Sequence, residues 1–340
     1  MIYRSKAPLR IGLAGGGTDV SPYSDLYGGA ILNATVSLYA YANIEIIDGE
    51  EVHFESIDYK TKQIIGKGSP LEFNGVLDLH KGVYDRIRKQ FPGMPPGFKL
   101  STFVDAPAGS GLGTSSTLVV AIVGAFTEML KLPLGEYDIA HLAYEIERKD
   151  LKMAGGKQDQ YAATFGGVNY MEFFNDEKVI VNPLRVKQQY LFELENNLLL
   201  YYTATNRESA KIITQQSQNV VDKKSSSIDA MHQLKQQSQR MKEALLKGRL
   251  HEIGEILDFG FQQKRRMAEG ISNDRMEEIY LAAKSAGATG GKISGAGGGG
   301  FMIFYCPGNT KFEVMSRLND FGGHCKTYQF VDHGLTTWTI

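Results

Sequence analysis

Residues 105–117 read DAPAGSGLGTSST, with three glycines at alternate positions (Gly109, Gly111 and Gly113) between a proline and a run of hydroxyl side chains. The segment that follows, 115–131, predicts an apolar helix with serines at its start. Glycine permits positive φ and close approach to the backbone, and a helix N-terminus presents unpaired N–H groups and a positive dipole end. The stretch therefore predicts a loop that binds an anion such as phosphate. The alternative is a tight turn between a strand and a helix.

This loop differs from the two common nucleotide-binding fingerprints. No lysine follows its last glycine, so it is not GxxxxGK[ST], and its spacing is not GxGxxG. The positive charge that such a lysine would supply must come from elsewhere. We expect it to come from Mg²⁺ and a second cation.

The composition is that of an ordinary globular protein. The 340 residues are 42% hydrophobic and 22% charged with a net charge of -1, so nothing predicts electrostatic binding to nucleic acid or an anionic membrane. The N-terminus lacks a signal-peptide pattern, and the longest apolar stretch, within 115–131, is too short to span a bilayer. The two cysteines, Cys306 and Cys325, form no disulfide framework or metal-spaced set. We expect a cytoplasmic protein with structural thiols.

Strand and helix signals are mixed along the chain without strict alternation, which favours an α+β fold over a doubly wound sheet. An Asp-Gly pair between strand-like segments 39–47 and 50–58 predicts a hairpin. Further strands are expected at 98–107, 197–205, 301–306 and 326–331, and helices at 206–247, 273–287 and 310–321. A domain boundary is expected near 180–195.

Two further glycine motifs lie near the two ends of the sequence. In PLRIGLAGGGTDVSPY (8–23), a strand-like run ends in glycines before Thr18 and Asp19, and Asp19 can accept hydrogen bonds from sugar hydroxyls or cap a helix. In GGKISGAGGGGFMIF (290–304), five glycines in six residues precede an apolar strand. They predict either a flexible hairpin tip or close backbone approach to a nucleotide or substrate.

Two acids stand out between these motifs. Asp159 follows a Gly-Gly break and is expected at the start of a short helix, where the anion is stabilised or where it acts only as a cap. Glu147 ends a helical segment and, taken alone, is typical of a surface helix residue.

Together and in this order, the four segments resemble the GHMP kinases, which are small-molecule kinases, over nearly the whole chain. PAGSGLGTSST looks like the family's Pro-x-x-x-Gly-Leu-Gly-Ser-Ser-Ala-Ala loop, and KISGAGGGGFMIF is similar to its C-terminal glycine motif. YTATNRESAKII is similar to the segment that opens the second domain, although Ala204 replaces a usual glycine. Other departures are Thr114 for the first serine of the loop, and Ser116 and Thr117 for its two alanines.

The resemblance implies a two-domain fold and an active site between the domains. Residues 1–190 would form the ATP-binding domain, similar to ribosomal protein S5 domain 2. Residues 191–340 would form a ferredoxin-like domain.

The resemblance also implies a role for each matching residue, with ATP and Mg²⁺ as the required small molecules. Asp159 would be the catalytic base, with Arg10 beside it. Ser115 and Glu147 would hold Mg²⁺, with Ser116 as a rival ligand. The ATP phosphates would contact Pro107, Gly109, Ser110, Gly111, Leu112, Gly113, Thr114 and Ser115. The substrate would contact Gly17, Thr18, Asp19, Gly156, Lys157, Arg207, Gly297 and Gly298.

Within the family, segments 9–23 and 155–170 look most similar to kinases that phosphorylate C1 of D-glycero-D-manno-heptose 7-phosphate, in the synthesis of nucleotide-activated heptose. The expected partner is therefore a small sugar phosphate, which needs a cationic pocket. Lys157, Arg207 and Lys292 are the candidates, although Lys157 could instead be solvated or pair with a carboxylate. The alternatives are a C1 kinase of a neutral sugar, similar to fucokinase or galactokinase, and a sensor without catalysis.

Overall fold

The computed structural model describes residues 1–66, 68–204 and 209–340, and its strands and helices alternate irregularly. The strands are β1 (Ile2–Ala14), β2 (Gly29–Ile46), β3 (Val52–Ser56), β4 (Thr61–Ile65), β5 (Phe98–Val104), β6 (Val168–Phe173), β7 (Val179–Pro183), β8 (Leu198–Tyr202), β9 (Gly290–Ile293), β10 (Phe301–Tyr305), β11 (His324–Cys325) and β12 (Thr336–Thr339). The helices are α1 (Tyr23–Tyr27), α2 (Asp78–Gln90), α3 (Thr114–Leu130), α4 (Glu136–Glu145), α5 (Gln158–Phe165), α6 (Gln188–Asn197), α7 (Ser209–Val221), α8 (Ser225–Lys247), α9 (Ile253–Arg265), α10 (Asp274–Ser285) and α11 (Thr310–Leu318). A π-helical turn (Ile146–Asp150) and two 3₁₀ turns (Leu250–Glu252 and Asn319–Phe321) complete them. The α+β prediction is confirmed.

The first sheet is organised around β2. Its 18 residues pair antiparallel with β1 along most of their length, and its other edge pairs with β6 in the first half and β5 in the second. The spatial order in the described residues is β12-β1-β2-β5-β3-β4, with β6 and β7 beside the first half of β2. The apolar helix predicted at 115–131 is α3, and its buried residues pack under this sheet.

The predicted hairpin between 39–47 and 50–58 is wrong, although both segments are strands. β5 lies between β2 and β3, with Thr102 opposite both Ala42 and Ser56. β3 runs parallel to β5 and forms its own antiparallel pair with β4. The Asp-Gly pair predicts only a local turn. The pairing of β2 and β3 depends on tertiary packing, in which β5 lies between them.

The second sheet has the order β11-β8-β10-β9. β9 and β10 pair antiparallel, so the 294–300 glycine loop is the connection of a hairpin. The strand predicted at 326–331 is wrong, because only His324–Cys325 pairs with β8 and Phe330 makes a single bridge to Val36. This segment crosses from the second sheet to the first, where β12 pairs with β1.

The second half of the chain contains more helices in the described residues than the sequence predicts. The helical region expected over 206–247 is two helices in the described residues, α7 and α8, with Lys223 at φ 54° between them. Helix α9, which the sequence analysis did not predict, follows α8 and packs against it and against β9.

One hydrophobic cluster joins the two halves. It contains Leu9 and Leu32 of the first sheet, Leu200 and Ile303 of the second, and Ile256 of α9. The division into two domains between residues 190 and 191 stays a prediction. Residues 336–339, which form β12 near the end of the second predicted domain, pair with β1 in the first sheet. In the part of the chain described here, no helix combines the length and apolarity needed to cross a membrane.

Candidate active site

Arg10 and Asp159 form the central contact of the site. Arg10 lies in the middle of β1 and is 3% exposed. Its Nε donates to Asp159 Oδ1 at 2.7 Å, its Nη2 lies 2.6 Å from the same oxygen, and its Nη1 donates to the carbonyl of Gly111 at 2.6 Å. No donor from the described residues bonds to Asp159 Oδ2. Asp159, in the first turn of α5 as predicted, therefore has one oxygen anchored and one able to accept a proton.

The glycine loop before α3 packs backbone to backbone against the glycine loop between β9 and β10. Gly111 has φ 85°, and a Cβ added there would lie 2.5 Å from the carbonyl oxygen of Ser294. A Cβ on Gly295 would lie 2.6 Å from Gly111 Cα, and Phe301 N donates to Ser110 O at 2.8 Å. Neither a simple turn nor a ligand alone explains these glycines, since side chains would separate the two loops.

Helix α3 begins in this loop with its N-terminus open. It has 17 residues, starts at Thr114 after Gly113 at φ 79°, and has no side-chain cap. The first-turn N–H groups therefore have no intrahelical partner. Together with the positive helix end they can bind an anionic group.

A cavity of about 240 Å³ lies between these elements and residues of the second half of the chain. The predicted site residues that line it are Arg10, Gly17, Asp19, Gly109, Gly111, Gly113, Thr114, Ser115, Ser116, Glu147, Gly156 and Asp159. The cavity thus brings together residues from Arg10 near one end of the sequence to Ala296 near the other.

Asp19 is buried beside Asp159. One of its oxygens accepts a hydrogen bond from the backbone N–H of Gln158 at 3.0 Å, and its carboxylate occupies the volume that a side chain at Gly156 would need. Burial raises the pKa of Asp19, and the charge of Asp159 adds to this effect. Asp19 is therefore held at the cavity as a polar group able to bind a ligand hydroxyl.

Glu147 is 1% exposed and lies in the π-helical turn, so its interpretation as a surface residue is wrong. Gln160 Nε2 donates to Glu147 Oε2 at 2.5 Å and to Ser116 Oγ at 3.1 Å, which joins two of the predicted metal ligands. Gln160 Oε1 is buried without a partner in the described residues. Arg148 Nη2 also contacts Ser116 Oγ, at 3.4 Å.

Several other predicted contacts lie outside the cavity wall. Thr18 is fully buried, its hydroxyl bonds to the backbone of Gly15 and Ala30, and it does not line the cavity; its role in substrate binding stays a prediction. Leu112 and Ser110 are fully buried too and do not line the cavity, so their contacts with the ATP phosphates stay a prediction.

Gly297 and Gly298 lie in the hairpin loop between β9 and β10, and both contact Ile271 in the second half of the chain. A Cβ on Gly297 would meet the backbone of Ile271, and Gly298 N donates to Ile271 O at 2.8 Å. Neither glycine lines the cavity, and their contact with the substrate stays a prediction, while Gly295 and Ala296 of the same loop do line the cavity. Pro107 does not line it, and Arg207 lies outside the described residues.

Three lysines are buried at the site. Lys157 forms an ion pair with Asp25, with Nζ to Oδ1 at 3.1 Å, and lines a neighbouring cavity of about 250 Å³. Lys292 of β9 lines the main cavity and donates to the carbonyl of Gly12 at 2.7 Å, and burial lowers its pKa well below the ordinary value. Lys264 of α9 also lines the main cavity, and burial, with the nearby Arg10 charge, lowers its pKa to about 8. Sequence reasoning missed Lys264, because nothing distinguishes it from Arg265 and Arg266 beside it.

Comparisons with known proteins match segments in both halves of the chain. The family model described as "GHMP kinases N terminal domain" matches residues 78–167, and "GHMP kinases C terminal" matches residues 241–324. The chain is 45% identical, over 99% of both chains, to the D-glycero-alpha-D-manno-heptose 7-phosphate kinase of Campylobacter jejuni. It is 27% identical, over 87% of this chain and 34% of the relative, to an L-fucokinase/L-fucose-1-P guanylyltransferase of Bacteroides fragilis.

A crystal structure from Bacteroides thetaiotaomicron, described as a D-glycero-D-manno-heptose 1-phosphate kinase, is similar over 99% of both chains. Its sequence is 46% identical and its TM-score is 0.84. The names of the two closely similar proteins agree on a phosphorylated heptose and differ in the position of its phosphate.

Proposed function

This chain belongs to the GHMP kinases and is therefore a phosphotransferase. From this premise we propose that it transfers the γ-phosphoryl group of ATP to the C1 hydroxyl of D-glycero-D-manno-heptose 7-phosphate. The product would be the 1,7-bisphosphate, a precursor of nucleotide-activated heptose. The single observation that carries the proposal is the Arg10–Asp159 pair, which lines the same cavity as the N-terminus of α3 and lies directly beside Gly113.

The loop and α3 would hold the ATP phosphates. Gly109, Gly111 and Gly113 line the cavity, and the first-turn N–H groups of α3 are available to phosphate oxygens. Phosphoryl transfer depends mainly on positioning and on neutralising negative charge. Arg10 supplies one positive charge at the point where the loop and the base meet.

Asp159 would act as the base. Its Oδ1 is held by Arg10, and its Oδ2 would accept the proton of the attacking hydroxyl. An anomeric hydroxyl is more acidic than an ordinary alcohol, so a carboxylate suffices for this step. Asp19, anchored by the N–H of Gln158, would bind another hydroxyl and orient the sugar.

The residues that would hold Mg²⁺ are Glu147 and Ser115. Both line the cavity, their oxygens are the donor type that this hard cation prefers, and the unpartnered Gln160 Oε1 lies beside Glu147. Ser116 is the weaker candidate because Gln160 and Arg148 already contact its hydroxyl. When bound, the cation would neutralise charge on the phosphates.

The second candidate is a C1 kinase of a neutral sugar, which the similarity to the L-fucokinase enzyme favours. The higher identity to the heptose-phosphate enzyme supports a phosphorylated acceptor instead. A sensor without catalysis is the remote alternative, and the presence of Asp159, Glu147 and Ser115 in one cavity argues against it.

The test is an acceptor screen with ATP and Mg²⁺, following ADP release and locating the new phosphate by NMR. The acceptors are D-glycero-D-manno-heptose 7-phosphate, the corresponding 1-phosphate, unphosphorylated heptose and L-fucose. We expect the 7-phosphate to be preferred and the new phosphate to appear on C1. Preference for the 1-phosphate or for a neutral sugar would overturn the proposal.

A further inference from the structure

Lys264 brings a positive charge to the cavity from the second half of the chain. It lies in the last turn of α9 and is 4% exposed, and it lines the cavity together with Arg10 and Asp159. Its Nζ donates to the carbonyl of Gly295. It belongs to none of the motifs discussed above and has no role in the chemistry proposed so far.

Lys264 forms no ion pair within the described residues, although the charges of Asp19 and Asp159 act on it from beyond ion-pair distance. No carboxylate there lies within ion-pair distance of its Nζ, whereas Lys157 pairs with Asp25 and Arg10 pairs with Asp159. A buried ammonium without a counter-ion is costly, and burial accordingly lowers its pKa to about 8. An anionic group in the cavity would supply the missing partner.

The space beside Lys264 adjoins the turn that carries Asp19, the residue proposed above to bind a sugar hydroxyl. A Cβ built on Gly16 would lie 3.7 Å from Lys264 Nζ, with no other described atom outside its chain neighbours within 4 Å. Gly16 precedes Asp19 by three residues, in the turn that presents the Asp19 carboxylate. A side chain at Gly16 would thus contact the ammonium, and its absence leaves that position beside Nζ open to an atom of a ligand.

We propose that Lys264 determines acceptor specificity by binding, beside Gly16, the phosphate group that the acceptor sugar already carries. This inference rests on the proposed function, and it assigns the role to Lys264 rather than to Lys157. An ammonium suits the task because its three donors can contact a phosphate as a point charge. One donor is used by Gly295 O, which holds the side chain in place.

The experiment measures kcat/KM for the 7-phosphate and for unphosphorylated heptose, and compares their ratio between variants. Lys264→Met should lower the ratio at least tenfold, which is about 1.4 kcal/mol, while Lys264→Arg should retain part of it. Lys247→Met is the control, because Lys247 is exposed in α8 and its ion pair with Glu243 lies on the surface. Its ratio should equal that of the wild type.

A second variant tests the same space without changing a charge. Gly16 does not have positive φ, so Gly16→Ala should fold, and its methyl group would narrow the space beside Lys264. It should raise KM for the 7-phosphate more than for the unphosphorylated sugar. Melting temperatures identify any variant that has failed to fold. If Lys264→Met fails to fold, Gly16→Ala still tests the proposal.

The outcomes separate this inference from the proposed function. A wild-type ratio near one would overturn the proposed function and this inference with it. A high wild-type ratio that Lys264→Met leaves unchanged, or that only Lys157→Met lowers, would overturn the inference alone. Equal losses for both acceptors with a higher KM for ATP would also overturn it, because Lys264 would then act on the nucleotide.

Discussion

At the scale of single residues, the contact between Arg10 and Asp159 carries most of the chemistry. Asp159→Asn should lower kcat by roughly 10²–10⁴-fold, because the amide cannot accept the proton of the acceptor hydroxyl. ATP binding, followed by calorimetry, should stay close to that of the wild type, since the loop before α3 is unchanged.

The matched control for this variant is Asp274→Asn. Asp274 also lies in the first turn of a helix, α10, but is exposed and outside the cavity. A near wild-type kcat for Asp159→Asn would exclude Asp159 as the base. A similar loss in Asp274→Asn would show that the measured effect is not specific to the site.

Glu147 is the residue whose change should alter the Mg²⁺ requirement. Glu147→Gln removes a buried carboxylate oxygen from the cavity wall and should raise the Mg²⁺ concentration needed for half-maximal activity. Glu136→Gln serves as the control, because Glu136 is exposed in the first turn of α4 and lies outside the cavity. If the two variants show the same Mg²⁺ dependence, Glu147 is not a metal ligand.

His80 links stability to pH. It is buried on α2 with Nε2 2.8 Å from Thr102 Oγ1, and burial lowers its pKa to about 4 from an ordinary 6.5. Between these values the unfolded chain binds the proton and the folded chain does not, so the free energy of unfolding should fall as pH falls. We expect a slope of up to about 1.4 kcal/mol per pH unit.

Denaturant titrations at pH 4.5 to 7 would measure this slope in the wild type and in His80→Gln. Other groups titrate equally in both proteins, so the difference between the slopes isolates His80. Equal slopes would contradict the expected proton linkage.

At the scale of elements, the two glycine loops act as one unit. Gly111→Ala should lower both ATP affinity and stability, because Gly111 has positive φ and its Cβ would press on Ser294 O. Sequence reasoning alone predicts lost ATP binding in a folded variant of Gly111. The contact between the loops adds a loss of stability.

Gly308→Ala separates the two causes. Gly308 also has positive φ, at 61°, but a Cβ there meets nothing within 4 Å, so this variant reports only the backbone cost of about 1–2 kcal/mol. Thermal unfolding should show a larger loss for Gly111→Ala. An equal loss would mean that the contact between the loops contributes little.

At the scale of the whole molecule, the end of the chain joins the two halves. β12 pairs with β1 through four residue pairs, and the Leu335 side chain fills the space above Gly124 of α3. A variant ending at residue 331 should lose on the order of 1–3 kcal/mol, because it exposes this apolar contact and an edge of the first sheet.

Urea unfolding would measure that loss, with Trp338→Thr as the control that keeps the chain length. Trp338 is 36% exposed, so its replacement should cost less than removal of the strand. An unchanged midpoint in the shortened protein would show that β12 does not stabilise the first sheet.

The sequence by itself determined the local features of this protein. These are the three glycine motifs and their order, the helix that became α3, and the place of Asp159 in the first turn of α5. Each of these features depends on residue propensities and spacings within a short segment. These are independent of how the rest of the chain folds.

Only the tertiary structure decided which distant groups meet. It placed β5 between β2 and β3, the two glycine loops against each other, and Lys264 of α9 beside Gly16. It also buried Glu147, which its own helix pattern presents as a surface residue. The physical reason is that these contacts arise from packing between elements far apart in the sequence, where local propensity distinguishes neither a partner nor the side chain that will face it.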